Sequence, residues 1–154
     1  LANDFTTDSE VLIDCIKKIS SESTEYHFCL YPTATLLFKE DLINSFKKIK
    51  KINFDHLASV SNYDVSPYRA FRFVGKNRIE FNIKKFSQTR SQDVPKLCHG
   101  TGTFYIFKTK SLFKYNGKLP KKTTYYFIDK YRSIDIDTMA DFKFAEFMFK
   151  YIKK

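Results

Sequence analysis

Short apolar runs alternate with amphipathic helical patterns along the chain, and this alternation constrains the fold more than any other feature. Thr7-x-x-Glu10 is a capping box followed by apolar residues at helical spacing, which predicts a helix from about 8 to 20. Further helical patterns cover 40–51, 109–115 and 138–152, and strand-like runs cover 26–31, 54–60, 102–107, 123–128 and 133–136. Helices alternating with strands in this way predict a mixed α/β sheet.

A hairpin and a long loop interrupt this alternation in the middle of the chain. Residues 70–74 and 78–83 flank Gly75-Lys76-Asn77, a combination that predicts an antiparallel hairpin. Residues 84–99 show no hydrophobic period and are rich in polar side chains. Loops of this length within a compact domain are usually functional. We therefore treat 69–98 as a hairpin and loop extension of one domain that covers residues 1–154.

Two carboxylates, Asp135 and Asp137, lie one residue apart in a β-branched stretch directly before the last helical pattern. In a strand they would share a face, with Ile134 and Ile136 pointing to the core. Paired carboxylate oxygens are suitable ligands for a hard cation such as Mg²⁺. The alternative is that Asp137 or Thr138 merely caps the helix that follows, since Thr138-x-x-Asp141 is a loose capping box.

The length and the cysteine content favour a single intracellular domain. A chain of 154 residues can bury a real core, and no apolar run approaches the ~20 residues of a membrane span. No signal peptide precedes the first helical pattern, and three scattered cysteines are typical of free thiols in a reducing compartment. We expect a cytoplasmic protein that does not enter a membrane. The start at Leu1 suggests a segment of a longer polypeptide.

The net charge of +10 raises the possibility of nucleic-acid binding. Most of the 27 basic residues are lysines, spread in short clusters such as Lys47-Lys48-Ile49-Lys50-Lys51. Nucleic-acid surfaces usually place arginine beside stacking aromatic residues in one stripe. The lysines are therefore interpreted mainly as solvated surface, and a nucleic-acid partner is not expected.

Five motifs in order along the chain resemble the acylneuraminate cytidylyltransferase family, whose members activate nine-carbon 2-keto sugar acids. The motifs are Leu1–Thr7 with Val11-Leu12, Tyr31-Pro32-Thr33-Ala34, Thr89-Arg90-Ser91-Gln92-Asp93-Val94-Pro95, His99-x-x-Gly102-x-Phe104-Tyr105, and Tyr131–Thr138 with Asp141 and Ala145-Glu146. The resemblance implies a mostly parallel, Rossmann-like sheet of the nucleotide-diphospho-sugar transferase type, with the hairpin and loop as a dimerisation extension.

The chain also departs from the family pattern. Thr35 replaces the second proline of the turn, Gly100-Thr101 replaces a polar run, and Thr103 replaces a glutamine. The family's glycine-rich basic loop for the CTP triphosphate has no counterpart among the four glycines of this chain. The resemblance therefore implies the carboxyl-terminal two-thirds of such an enzyme, inactive by itself.

The implied reaction transfers CMP from CTP to the anomeric hydroxyl of a nonulosonic acid and releases pyrophosphate. Asp135 and Asp137 would be the catalytic pair that holds Mg²⁺. Arg90 would bind the sugar carboxylate, across the interface of a homodimer, unless it is only an exposed loop arginine in a surface ion pair. Thr33 and Gln92 are candidates for hydrogen bonds to the sugar or for turn residues, and His99 either binds substrate or fixes the loop.

Two other functions fit parts of the sequence. A metal-dependent nucleotide-sugar glycosyltransferase also uses an Asp-x-Asp pair, but usually in mid-chain, whereas Asp135 and Asp137 precede the last helix. A basic nucleic-acid-binding module would need the lysine clusters for salt-dependent retention.

Overall fold

The computed structural model describes residues 6–152, so the first five residues of the Leu1–Thr7 motif lie outside the described residues. Contacts within the chain separate two compact units. The first contains the residues up to Val60 and those from Gly100 onward, and the second is Ser61–His99.

Helices and strands follow one another nearly as the sequence predicts. The helices are α1 (Asp8–Lys18), α2 (Lys39–Ile52), α3 (Thr109–Tyr115) and α4 (Met139–Ile152). The strands are β1 (Tyr26–Leu30), β2 (His56–Asn62), β3 (Phe71–Val74), β4 (Arg78–Phe81), β5 (Cys98–Lys108) and β6 (Thr123–Phe127). Short 3₁₀ turns occur at Pro67–Arg69, Lys84–Phe86, Ser91–Asp93 and Lys130–Arg132.

A four-stranded mixed sheet with the order β1-β5-β2-β6 organises the first unit. Strands β1 and β5 are antiparallel, with Tyr26 opposite Lys108, and β2 and β6 are parallel, with His56 opposite Thr123. Helices flank the sheet. The prediction of a mixed α/β sheet flanked by helices is confirmed.

The core of this unit lies between the sheet and α2. Helix α2 directs Asp41, Ser45 and Ile49 inward at four-residue spacing, which places them on one face. Ile49 packs into a cluster with Tyr26, Leu57, Phe104, Ile106 and Ile128. Burying such aliphatic and aromatic side chains contributes about 1.5–3 kcal/mol each. The lysines of α2 remain on its outer side, as the sequence predicts.

Strand β5 begins at Cys98, earlier than the predicted residue 102, and continues through two glycines. Gly102 has a φ of +62°, the left-handed conformation typical of a bulge. The Ser59 hydroxyl accepts a hydrogen bond from the Phe104 amide at 3.1 Å and donates to the Phe104 carbonyl at 2.8 Å. Thr101 and Thr103 each donate to the Ser59 oxygen at 2.8 Å. These buried hydroxyl groups satisfy one another and support the strand through the irregular backbone at Gly102.

The second unit contains the predicted hairpin, formed by β3 and β4 with Phe71 opposite Phe81. Gly75 in its turn has a φ of +67°, which a side chain would strain. On one face Arg72 and Glu80 form an ion pair with an Nε–Oε1 distance of 2.8 Å. The other face is apolar and exposed, and Phe73 is 89% accessible.

The prediction of a last strand at Ser133–Ile136 is wrong. Residues 133–137 carry no regular secondary structure. The 3₁₀ turn Lys130–Arg132 redirects the chain after β6, and the sheet ends with β6 among the described residues. A strand needs a neighbouring backbone for its hydrogen bonds, and β-branched composition alone does not supply one.

Within residues 6–152, no helix is long and apolar enough to cross a membrane.

Candidate functional site

The stretch 133–137, which we name the carboxylate segment, runs into a capped helix. The Thr138 amide and hydroxyl donate to the Asp141 carboxylate at 2.8 Å and 2.6 Å, and the Asp141 amide donates back to the Thr138 hydroxyl at 3.3 Å. These hydrogen bonds lower the pKa of Asp141. Thr138 and Asp141 therefore supply the capping box, and the carboxylates of Asp135 and Asp137 take no part in it.

The side chains of the carboxylate segment alternate in exposure, although no strand forms. Asp135 and Asp137 are exposed, whereas Ile134 and Ile136 are half-buried. Among residues 6–152, neither aspartate side chain has a hydrogen bond or an ion pair. Both carboxylates are thus directed away from the apolar side of the segment and remain available to a ligand.

The two carboxylates of Asp135 and Asp137 suit a cation that keeps water molecules or phosphate oxygens as most of its ligands. No group of three or more histidine, cysteine or acidic side chains is placed to hold a metal within residues 6–152. Mg²⁺ is commonly bound through one or two carboxylates together with substrate phosphates, and it does not need a cage of protein ligands. Asp135 and Asp137 fit that requirement, whereas a structural zinc site, with its four protein ligands, does not.

Arg132 anchors the start of the carboxylate segment to helix α2. Its Nη1 and Nη2 donate to the Asp41 carboxylate at 2.6 Å and 3.2 Å, and its guanidinium carbon lies 4.3 Å from the centre of the Phe38 ring. Asp41 also accepts from the Phe38 amide at 3.0 Å and from the Tyr126 hydroxyl at 3.3 Å. The hydrogen bonds to Asp41 raise the pKa of Arg132, so this guanidinium stays charged. Sequence reasoning missed this pair, because nothing local connects residues 91 positions apart.

The turn after β1 lies beside the carboxylate segment. The Tyr31 amide donates to the Thr103 carbonyl of β5 at 3.1 Å, and the Ala34 amide closes the turn on the Tyr31 carbonyl at 3.0 Å. Thr35 in this turn and Ile136 in the carboxylate segment line the same cavity, whose volume is about 170 Å³. The structure therefore places Thr35 of this turn beside Ile136 of the carboxylate segment, while Thr33, which is half-buried, is not in the cavity wall.

A larger cavity of about 540 Å³ lies entirely within the second unit. Its walls include the cationic side chains of Arg69 and Lys96 and the hydroxyl group of Ser66. The Ser66 oxygen is buried without a hydrogen-bond partner, and Arg69 donates to the Thr89 carbonyl at 2.7 Å. The wall also contains the carboxylate of Asp64, so two cationic side chains face one anionic side chain. The excess of positive charge and the unsatisfied hydroxyl group suit an anionic, hydroxylated ligand. Sequence reasoning assigned Arg69 no secure role, and its signal was that related sequences also have an arginine at this place, after Pro67-Tyr68.

The other predicted site residues of the second unit lie outside the walls of that cavity. Arg90 is exposed and pairs with Asp93 at an Nε–Oδ2 distance of 2.7 Å. Gln92 is also exposed, in the short turn Ser91–Asp93. His99 is half-buried in β5, and its ring centre lies 4.9 Å from that of Tyr63. The ligand roles of Arg90, Gln92 and His99 remain predictions.

Similarity to known proteins extends over almost the whole chain. No protein-family model matches it. The pseudaminic acid cytidylyltransferase of Campylobacter jejuni subsp. jejuni serotype O:2 is 26% identical over 152 residues, which cover 97% of this chain and 66% of that relative. A Helicobacter pylori protein named as pseudaminic acid cytidylyltransferase and UDP-2,4-diacetamido-2,4,6-trideoxy-beta-L-altropyranose hydrolase is 31% identical over 112 residues, 72% of this chain and 21% of that protein.

Among solved structures, a CMP:2-keto-3-deoxy-manno-octonic acid synthetase complexed with CTP has a similar fold. The TM-score is 0.62 at 10% identity, and the match covers 96% of this chain and 70% of the other. At that identity the likeness concerns the fold alone. Together with the curated relatives, which are cytidylyltransferases by name, it confirms the resemblance to cytidylyltransferases, and to pseudaminic acid cytidylyltransferase in particular.

Proposed function

We propose that the chain is the catalytic and sugar-binding part of a cytidylyltransferase. The enzyme transfers CMP from CTP to the anomeric hydroxyl of a nonulosonic acid, of the pseudaminic type, and releases pyrophosphate. The support is the similarity to the C. jejuni protein over 97% of this chain. This chain spans 66% of the length of that relative, so the activity is proposed for the complete enzyme and not for these residues alone.

The observation that carries the proposal is that the carboxylates of Asp135 and Asp137 are exposed and take no part in the helix cap. Both are exposed, and the helix cap that could have explained them is supplied by Thr138 and Asp141. A bound Mg²⁺ would neutralise phosphate charge and polarise the reacting centre. The chain's own contribution is to present two carboxylates from a segment that Arg132 fixes to α2. Phosphoryl-group transfer needs such positioning and charge neutralisation more than it needs a protein nucleophile.

The sugar acid would be held by cationic and hydroxyl groups, as its carboxylate and hydroxyl groups require. Arg90 and Arg69 are the two candidates for the carboxylate, because a guanidinium forms a planar two-donor contact with it. Arg90 is exposed and forms an ion pair with Asp93, whereas Arg69 lines the cavity with Ser66. Thr33, Gln92 and His99 are proposed as further hydrogen-bonding partners of the sugar.

A homodimer is the expected assembly, with the hairpin as part of its interface. Phe71, Phe73 and Ile79 form an exposed apolar face, and an isolated two-stranded hairpin is marginally stable in water. Covering that face with a second copy would remove the apolar surface from water. Because CTP is a metabolite of the cytoplasm, we propose that the enzyme acts there.

The test is a fusion of this chain with the part of the C. jejuni relative that it does not span. We expect pyrophosphate release from CTP only when Mg²⁺ and a nine-carbon 2-keto sugar acid are both present. Arg90→Lys and Arg69→Lys variants, assayed separately, should raise the KM for the sugar acid and leave that for CTP unchanged if the arginine binds the carboxylate. Release that depends on a sugar phosphate, or on no acceptor sugar, would contradict the proposed reaction.

A further inference from the structure

A cavity of about 190 Å³, which we name the His56 cavity, lies within the first unit of the structure. Strands β1, β2 and β5 form one side of it, and helix α1 and the loop after α3 form the other. Among the side chains that line it are Cys29, His56, Tyr105 and Phe107 from the sheet, Leu12 from α1 and Leu119 from the loop. None of the residues predicted for the metal or the sugar lines this cavity.

His56 gives the cavity a polar group that lacks a partner. Its side chain is buried, and its Nδ1 forms no hydrogen bond among residues 6–152. Burial lowers the pKa of His56 to about 4, so the imidazole ring is neutral near pH 7 and offers one donor and one acceptor. Buried polar groups in native proteins almost always have a hydrogen-bond partner. Because His56 lines the cavity, a molecule in the cavity could supply that partner.

The size and the walls of the His56 cavity fit one aromatic ring. The centre of the His56 ring lies 5.8 Å from that of Tyr105 and 4.6 Å from that of Phe107. Leu12 and Leu119 add aliphatic surface on the opposite side. An apolar cavity of about 150 Å³ is large enough to hold benzene. A cavity of about 190 Å³ therefore has room for one six-membered ring with a short substituent.

The charges around the His56 cavity disfavour an anionic ligand. Among the described residues, no lysine or arginine lines it, and its one carboxylate is that of Asp8, which accepts a hydrogen bond from the Tyr31 hydroxyl. Burial and the Asp8 carboxylate raise the pKa of Tyr105, so negative charge on that side of the cavity is unfavourable. A phosphate or a sugar carboxylate would meet the same opposition. The cavity therefore does not suit either of the substrates of the proposed reaction.

We propose that the His56 cavity binds a small, neutral aromatic molecule that carries one hydroxyl or N–H group, as phenol does. The polar group of the ligand forms a hydrogen bond with the His56 ring, and its own ring packs against Tyr105, Phe107 and Leu12. Pockets for small molecules commonly combine apolar walls with one or two polar groups that fix the orientation of the ligand. Because Tyr31 also lines the cavity, a ligand there contacts the first residue of the turn that contains Thr33. The proposal does not depend on the reaction catalysed.

The experiment titrates the isotope-labelled chain with phenol and follows it by NMR at pH 7. The methyl groups of Leu12 and Leu119 and the ring nitrogens of His56 should shift, with a Kd on the order of 1 mM. Toluene, which has no hydroxyl group, and benzoate, which is an anion, are the comparison probes. In His56→Phe, phenol should bind at least about threefold more weakly, because one hydrogen bond is lost, whereas the Kd for toluene should not change.

A second pair of variants tests the position of the ligand without altering His56. Cys29→Phe places a ring in the cavity and should weaken binding of phenol at least about tenfold. Cys98→Phe is the matched control, because Cys98 is exposed and does not line the cavity. This pair also keeps the proposal testable if His56→Phe does not fold.

Phenol binding that moves the His56 ring nitrogens, exceeds that of benzoate at least about tenfold and is lost in Cys29→Phe but kept in Cys98→Phe supports the proposal. The proposal is overturned if phenol leaves the Leu12 and Leu119 methyl groups unmoved, or if benzoate binds as tightly as phenol. Equal losses for phenol and toluene in His56→Phe, or for phenol in the two cysteine variants, also overturn it. His56 ring nitrogens that bound phenol does not shift would show that water alone satisfies the ring, and would overturn the proposed contact.

Discussion

The guanidinium of Arg132 forms a two-donor ion pair with the carboxylate of Asp41, with N–O distances of 2.6 Å and 3.2 Å. The two side chains are 17% and 7% accessible, so little solvent screens their interaction. Asp41 lies in the first turn of α2, and Arg132 immediately precedes the carboxylate segment. The pair therefore couples the position of Asp135 and Asp137 to the core of the sheet.

Removing one partner of this pair should destabilise the fold strongly. Asp41→Asn keeps the size of the side chain but leaves a partly buried guanidinium without its counter-charge. Breaking a buried ion pair in this way costs about 3–5 kcal/mol. Urea unfolding measures the loss. Glu146→Gln is the control, because the Glu146–Lys150 pair, with an N–O distance of 2.8 Å, is exposed and its loss should leave the unfolding midpoint unchanged. Equal effects of the two substitutions would contradict the anchoring role.

Burial of His56 should make the fold sensitive to acid. His56 is 3% accessible, its ring centre lies 4.6 Å from that of Phe107, and its Nδ1 is buried without a hydrogen-bond partner. Burial lowers the pKa of His56 from the ordinary 6.5 to about 4. The unfolded chain therefore takes up a proton at a higher pH than the folded chain does. Stability is full above about pH 6.5 and falls, by on the order of 3 kcal/mol, as the pH drops to about 4.

His56→Phe should remove that part of the pH dependence, as measured by urea unfolding at several pH values. His27→Gln is the matched control, because His27 hydrogen-bonds through both ring nitrogens, to Ser21 at 3.1 Å and Thr109 at 2.9 Å. Burial lowers the pKa of His27 as well. In His27→Gln, however, the contribution of His56 to the pH dependence of the free energy of unfolding should persist. An unchanged acid sensitivity in His56→Phe would contradict the assignment.

A charge on the apolar face of the hairpin should weaken the proposed dimer. Phe73 is 89% accessible, and Phe73→Glu would place a carboxylate in the interface, where it would be desolvated. We expect the dimer dissociation constant, measured by sedimentation, to rise at least about tenfold. Arg78→Glu, on the opposite face of the same hairpin, is the control and should leave it unchanged. The interface would be contradicted if the enzyme without substitutions were a monomer, or if the two variants changed the dimer dissociation constant equally.

Local patterns predicted most elements of the fold because their physical causes are local. The Thr7–Glu10 capping box begins α1 as expected, with the Thr7 amide donating to the Glu10 carboxylate at 2.8 Å. Gly75 marks the hairpin turn through its positive φ. The strand predicted at 133–136 failed because its backbone has no neighbouring strand, which the local sequence does not reveal. Its alternation of exposed aspartates and half-buried isoleucines was nevertheless correct.

Contacts between distant parts of the chain could not be predicted. Strand β5 continues back to Cys98, where Ser59, from another strand, hydrogen-bonds to the Thr101 hydroxyl and to the Phe104 backbone on the two sides of Gly102. The Arg132–Asp41 pair joins residues 91 positions apart. The Ser66 hydroxyl is buried without a hydrogen-bond partner because of how the loops of the second unit pack, which the local sequence does not reveal. The motif resemblance pointed to Asp135 and Asp137, but not to what holds them in place.

The most direct test of the account is pyrophosphate release from CTP by the fusion described above, with Mg²⁺ and a nine-carbon 2-keto sugar acid. Its Asp135→Ala/Asp137→Ala double variant should remain folded and lose at least about a thousandfold in kcat, because metal-held charge neutralisation is removed. Thr138→Ala is the control, since losing the helix cap costs about 1 kcal/mol of stability and leaves both carboxylates in place. Full activity in the double variant would contradict the assignment of Asp135 and Asp137 as the metal-binding pair.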